Sequence, residues 1–230
     1  MKAGRRVLVR RNSLVRITPH HGPVSLDASP TRRARTDQTE GNARLTTSVA
    51  AVIFVLLAAE GVTILQIGRL LTPHVFIGML LVPPILLKMG STFWKFARYY
   101  LRVPAYRQEG PPVWPLRLLG PVVVVLTLTV FISGIALLFG PFSWRSSLLF
   151  VHKASFVVWL GVMGLHVLGH LADTASLAPR DWLRRTRRQV EGAGARQWTI
   201  ASSVAIGLVL AVAVVPQVGP WLAAGPLGFR

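Results

Sequence analysis

The chain contains no cysteine. That excludes disulfides, iron–sulfur clusters, thiolate zinc sites and covalent attachment of a c-type haem. Any cofactor must be held by histidine, methionine or carboxylate. Acid is also scarce, with 8 Asp and Glu against 26 Lys and Arg and a formal net charge of +18. Charged residues of both signs make up only 15% of the 230 residues, while 52% are hydrophobic, and mean hydropathy is +0.50. A soluble domain rarely has that balance, and the apolar residues fall in runs of membrane-spanning length. No conventional nucleophile or acid–base triad is evident. His166 and His170 have the spacing of a zinc-protease helix, but Val167 stands where that motif needs glutamate. Desaturase-like histidine boxes are absent as well.

Five apolar runs are present. They cover about 45–68, 74–96, 118–139, 149–171 and 199–215. The expected fold class is an all-α integral membrane protein, a four-helix transmembrane bundle plus a fifth transmembrane helix. The expected organisation is a basic disordered arm over 1–43, the bundle over 44–174, a basic loop over 175–198, and the fifth helix with a short tail over 199–230. The arm holds no long hydrophobic run and does not read as a secretory signal. Its adjacent His20 and His21 fit a solvated tail better than a metal site. Pro83 and Pro84 are expected to kink the second span, because each removes an amide donor and crowds the preceding turn.

Basic residues set the expected orientation. With the N-terminus cytoplasmic, the inner segments carry 21 Lys and Arg: ten in the arm through Arg44, five between Lys95 and Arg117, and six between Arg180 and Arg196. The outer side has only Arg69, Lys153, Arg145 and Arg230. The C-terminus is then outside. A basic face toward anionic membrane lipid explains the charge, with no call for nucleic acid.

The chain is organised around 152–170, HKASFVVWLGVMGLHVLGH. His152 and His166 are fourteen positions apart, nearly a whole number of helical turns, so both leave one face roughly 21 Å apart along the axis. His170 follows one turn later. Imidazole in hydrocarbon is costly unless it is used. A blander role remains open for His152 and His170, as markers of the span's two ends.

The first four spans read as a duplicated hairpin. Arg44 is followed after seventeen positions by Gly61, and Arg117 after seventeen by Gly134. Each glycine lies in a span leading into a histidine-bearing helix. Fourteen residues past His74 is Lys88, and fourteen past His152 is His166. Alternating spans place His74 and His152 at one depth near the outer face, where a bis-histidine b-type haem could bridge them. Gly61, Gly134 and Gly78 would let a flat ring approach the backbone. Plain helix packing accounts for these glycines equally well.

At these residues, over about Arg44 to Leu171, the chain resembles the cytochrome b family of four-helix membrane haem proteins. That family includes the cytochrome b subunits of formate dehydrogenase and nickel–iron hydrogenase and bacterial cytochrome b561. The matching features are His74-x-x-x-Gly78, Gly61, Gly134, and His152 with His166. The resemblance implies electron transfer between quinol and a partner protein across stacked haems. The family's first helix often opens with Arg-x-x-His, but Thr47 stands at that histidine position here. Lys88 stands where other relatives carry the inner ligand. One haem b, on His74 and His152, is therefore expected, and the second lacks a partner for His166.

Lys88, His166, His170 and Asp173 could converge on the inner side as a quinone pocket, as an inner haem site with an unidentified second ligand, or as a metal site. Glu60 could pair with Lys153, bond a haem propionate or line a proton path, and simple pairing or snorkelling toward the outer interface is the expected reading. The functional expectation is a membrane oxidoreductase component, or the haem-bearing anchor subunit of one, with a quinone or a redox protein as partner. The alternative is a non-haem scaffold or small transporter with a polar His/Glu seam.

Overall fold

A computed structural model describes residues 30–108, 114–182 and 192–223, with side chains over 39–107, 117–169 and 192–223. Among these the regular structure is entirely helical. The helices are α1 (Pro30–Leu65), α2 (Ile67–Tyr100), α3 (Pro104–Gln108), α4 (Trp114–Phe139), α5 (Arg145–Trp182), α6 (Ala193–Val214) and α7 (Gly219–Ala223). Short 3-10 turns at Phe142–Trp144 and Val215–Val218 lead into α5 and α7. Among the described residues five segments are long and apolar enough to cross a membrane: Thr39–Leu65, Ile67–Tyr100, Arg117–Phe139, Phe142–Gly169 and Ala193–Ala223. Large apolar side chains crowd the outside, among them Leu65, Phe93, Phe150, Leu168 and Val209. Together with the length of these helices, such a surface fits lipid contact.

The helices outrun the apolar runs. Helix α1 starts at Pro30, inside the segment expected to be a disordered arm. Helix α5 runs on to Trp182, and α6 begins at Ala193, so both ends of the basic 175–198 segment are helical. Hydropathy marks where lipid ends, and a helix rich in Ala, Leu and Arg has no reason to stop there. His20 and His21 lie outside the described residues.

Helix α2 is the centre of the packing. Its Leu81 and Ile85 meet Val49 and Ile53 of α1 and Ile200 of α6, while Met79 meets Ala211 and Val214 of α6. Helix α1 also packs on α5, and α5 on α4. Helix α2 barely touches α4, and neither α1–α4 nor α2–α5 forms a packed pair. The four bundle helices therefore form a ring in which α2 and α5 stand on a diagonal. Hydroxyls tie the pairs together where apolar contact alone gives little drive in lipid. Trp159 donates to Thr127 Oγ1 at 2.9 Å between α5 and α4, and Asn42 donates to the Ser91 carbonyl at 3.1 Å between α1 and α2.

Two features of α2 explain its shape. Gln66 breaks the chain between α1 and α2, and Leu70 leaves helical geometry at φ −108°, ψ 22°. Helical geometry resumes at Leu71, so Pro73 falls in the first turn, where a missing amide costs nothing. His74 is thus near the true start of the spanning helix. At Pro83–Pro84, where a kink is expected, the backbone keeps helical φ/ψ, and α6 packs against it there. Pro84 leaves the Leu80 carbonyl without its intrahelical amide. Gly207 of α6 presses directly against that carbonyl, so closely that any Cβ would overlap it. The contact is of the Cα–H···O kind.

Candidate functional site

His74 and His152 reach toward each other across the bundle diagonal. Their ring centroids are 6.4 Å apart with planes at 83°. Helices α2 and α5 do not form a packed pair, and these two side chains meet across that diagonal.

Each ring is fixed by the preceding helix of its own hairpin. His74 Nδ1 lies 2.9 Å from Glu60 Oε1 and 3.1 Å from Thr63 Oγ1, both on α1. Thr63 donates its hydroxyl to the Glu60 carbonyl at 2.6 Å. His152 Nδ1 lies 3.0 Å from the Val130 carbonyl and 3.1 Å from Ser133 Oγ, both on α4. Ser133 has the Thr129 carbonyl at 2.7 Å as acceptor for its own proton, so its lone pair faces the ring. A carboxylate and a carbonyl can only accept. Both rings, as neutral imidazoles, therefore carry their proton on Nδ1 and keep the lone pair on Nε2. Metal-ligating histidines have this arrangement, with the remote nitrogen bonded to carboxylate or backbone oxygen.

The matched spacing of the two hairpins extends to these partners. Glu60 is sixteen residues after Arg44, and Ser133 is sixteen after Arg117. In each hairpin the residue just before the repeat glycine touches Nδ1 of the following histidine. Gly134 lies beside the ring: a Cβ there would sit 3.1 Å from His152 Cε1. Gly78 faces Glu60, with 3.5 Å from a built Cβ to Oε1, and Gly61 borders open space. Glu60 pairs with His74, not with Lys153, which is exposed. Its side chain is only 13% accessible, so it does not reach for the interface.

The opposite half of the bundle, expected to be the inner one, is organised differently. Lys88 donates to the Thr46 carbonyl at 3.5 Å, and Thr46 Oγ1 donates to Ser91 Oγ at 2.9 Å. Thr47 uses its hydroxyl on the Ala43 carbonyl of its own helix. His166 is half-buried on α5. The side chains of His170 and Asp173 lie outside the described residues.

A fit test for haem follows from the outer pair. Metal–imidazole bonds of about 2.0–2.1 Å, with about 1.1–1.2 Å from nitrogen to ring centre, put two axial rings about 6.2–6.6 Å apart. The observed 6.4 Å falls within that range. Among the described residues no group of three or more His, Cys, Asp or Glu could hold a bare metal ion. A porphyrin supplies four nitrogens itself and asks the protein for two, so this donor set suits haem better than a bare ion. Comparison with known protein families, characterised proteins and solved structures finds no match for this chain.

The sequence had singled out His74, His152, Gly134 and Glu60. Ser133, Thr63 and the Val130 carbonyl were missed. Ser133 was recoverable, since the duplication aligns it with Glu60. A backbone carbonyl leaves no such trace.

Proposed function

We propose that this multi-pass membrane protein is a b-type cytochrome-like electron carrier holding one haem b between His74 and His152. The observation that carries the reading is the pair of rings 6.4 Å apart on a bundle diagonal, each bonded through Nδ1 to an oxygen acceptor. When bound, haem supplies a one-electron iron couple. The chain's own groups do the rest. His74 and His152 offer Nε2 from opposite helices. Glu60 and the Val130 carbonyl hold the tautomers that make those nitrogens donors. Gly134 gives the His152 ring its place against α4, and lipid-facing helices keep water away.

Electrons would pass between a quinol pool and a redox partner protein, with Lys88 and His166 on the quinone-facing inner half together with His170 and Asp173. The cytochrome b family is the natural home for such a protein. The orientation that goes with it has the N-terminus cytoplasmic and the C-terminus outside the cell membrane. A second reading is favoured by one observation: the Glu60–His74 contact is complete without a metal. A non-haem scaffold or small transporter would use it as a polar seam. The two readings separate on His74→Ala and His152→Ala. Loss of bound haem, or a five-coordinate high-spin iron, supports the carrier. Full low-spin haem in both variants rules out this pairing.

A further inference from the structure

We propose that Glu60 is a positioning residue that makes the two axial positions electrically unequal and holds the iron couple at a lower potential than a neutral environment would. The inference rests on the haem reading above.

The duplicated hairpins provide an internal comparison. At equivalent positions, Glu60 and Ser133 each contact Nδ1 of the following histidine, at 2.9 Å and 3.1 Å. One is a carboxylate and the other a neutral hydroxyl, so the hairpins differ by one charge at the same point. The Glu60 contact belongs to a fixed set. Thr63 lies 3.1 Å from the same nitrogen and 3.4 Å from Glu60 Oε2, while Gly78 leaves room for Oε1 on the α2 side. No lysine or arginine pairs with Glu60 among the described residues; the positive charges near this end are Arg69 and Lys153, both exposed, and Arg145, whose guanidinium lies over Trp221 and Phe142.

Two effects follow, with the same sign. A carboxylate accepting from Nδ1–H raises the basicity of the ligand and strengthens its bond to the more positive metal. A negative charge in a low-dielectric bundle also favours the oxidised, more positive state. His152 has only neutral acceptors and contributes neither. A carboxylate is expensive in hydrocarbon, and packing α1 on α2 would have been served by a neutral side chain.

The test is an anaerobic redox titration of the purified protein in detergent, with haem quantitation alongside. Glu60→Gln keeps an oxygen acceptor for Nδ1 and removes the charge, and Glu60→Ser copies the second hairpin. Both are expected to retain low-spin haem and to move the midpoint potential upward. Glu60→Asp keeps the charge and stays closer to wild type than Gln. Ser133→Ala leaves the charge balance alone and shifts the potential less than Glu60→Gln. An unchanged or lowered potential in Glu60→Gln, at wild-type haem content, overturns the inference and leaves the haem reading standing. Loss of haem in both Gln and Ser, with retention in Asp, overturns potential tuning and makes Glu60 a residue for haem retention. A wild-type protein that takes up no haem overturns the electron-transfer reading, and this inference with it.

Discussion

At the residue scale the central objects are two imidazoles and the oxygens that hold them. Gly134→Ala is a sharp probe, because its methyl would come within 3.1 Å of His152 Cε1. The ring must then shift, and haem retention is expected to fall, measured as haem per protein after purification. Gly61→Ala meets no atom within 4 Å of its Cβ and should leave the protein's fold and helix content unchanged. His20→Ala and His21→Ala should retain full haem. The 83° between ring planes has its own signature. Near-perpendicular axial imidazoles leave the two iron π orbitals close in energy. Frozen-solution electron paramagnetic resonance should show a strongly anisotropic low-spin signal with one large g value, and an ordinary rhombic spectrum would mean the rings turn on binding. The sequence made the histidine pair legible, because topology and spacing alone put both at one depth. It did not reveal that Glu60 faces His74. Glu60 and Lys153 are both near the outer end of their spans, and only the rotation of α1 about its axis decides between them.

At the element scale the fifth spanning helix is a brace on α2. Gly207→Ala drives a methyl into the Leu80 carbonyl that Pro84 leaves unbonded, so α6 must move off α2. Overpacking of this sort costs about 1–3 kcal/mol, read as a lower melting temperature in detergent. The proposed haem ligands, His74 and His152, lie on α2 and α5, so haem content should hold below that temperature. At the other end of α2, Arg102 takes a left-handed φ of 60° in a Schellman stop, with Val103 N–H donating to the Arg98 carbonyl at 3.1 Å. Arg102→Gly removes a left-handed penalty of about 1–2 kcal/mol, partly offset by the added freedom of glycine in the unfolded chain. A small rise in melting temperature is expected. Helix number and type were readable from apolar run length. The packing of α6 on α2 was not, because the fifth run is apolar all round and offers no stripe to orient it. The helix ends were also unreadable, since the polar extensions of α1 and α5 keep helical propensity beyond the lipid boundary.

At the scale of the whole molecule, the five membrane-length helices among the described residues and the uneven distribution of basic residues lead to the expectation that the two termini lie on opposite sides. A reporter fused after Arg230 that works only outside the cytoplasm should be active, and cytoplasmic activity there would reverse the orientation. In the ring of four bundle helices the α2–α5 diagonal is met by the rings of His74 and His152. The inner half differs because Lys88 occupies the register position of His166 in the other hairpin and spends its donor on the Thr46 carbonyl. An ammonium has no lone pair for iron. One haem, not two, is therefore expected. The most direct measurement is a dithionite-reduced minus oxidised spectrum of the purified protein, with pyridine haemochrome quantitation. One low-spin b-type haem per chain is the expected result. A pure, folded protein with no haem bands, even after reconstitution with hemin, would contradict it.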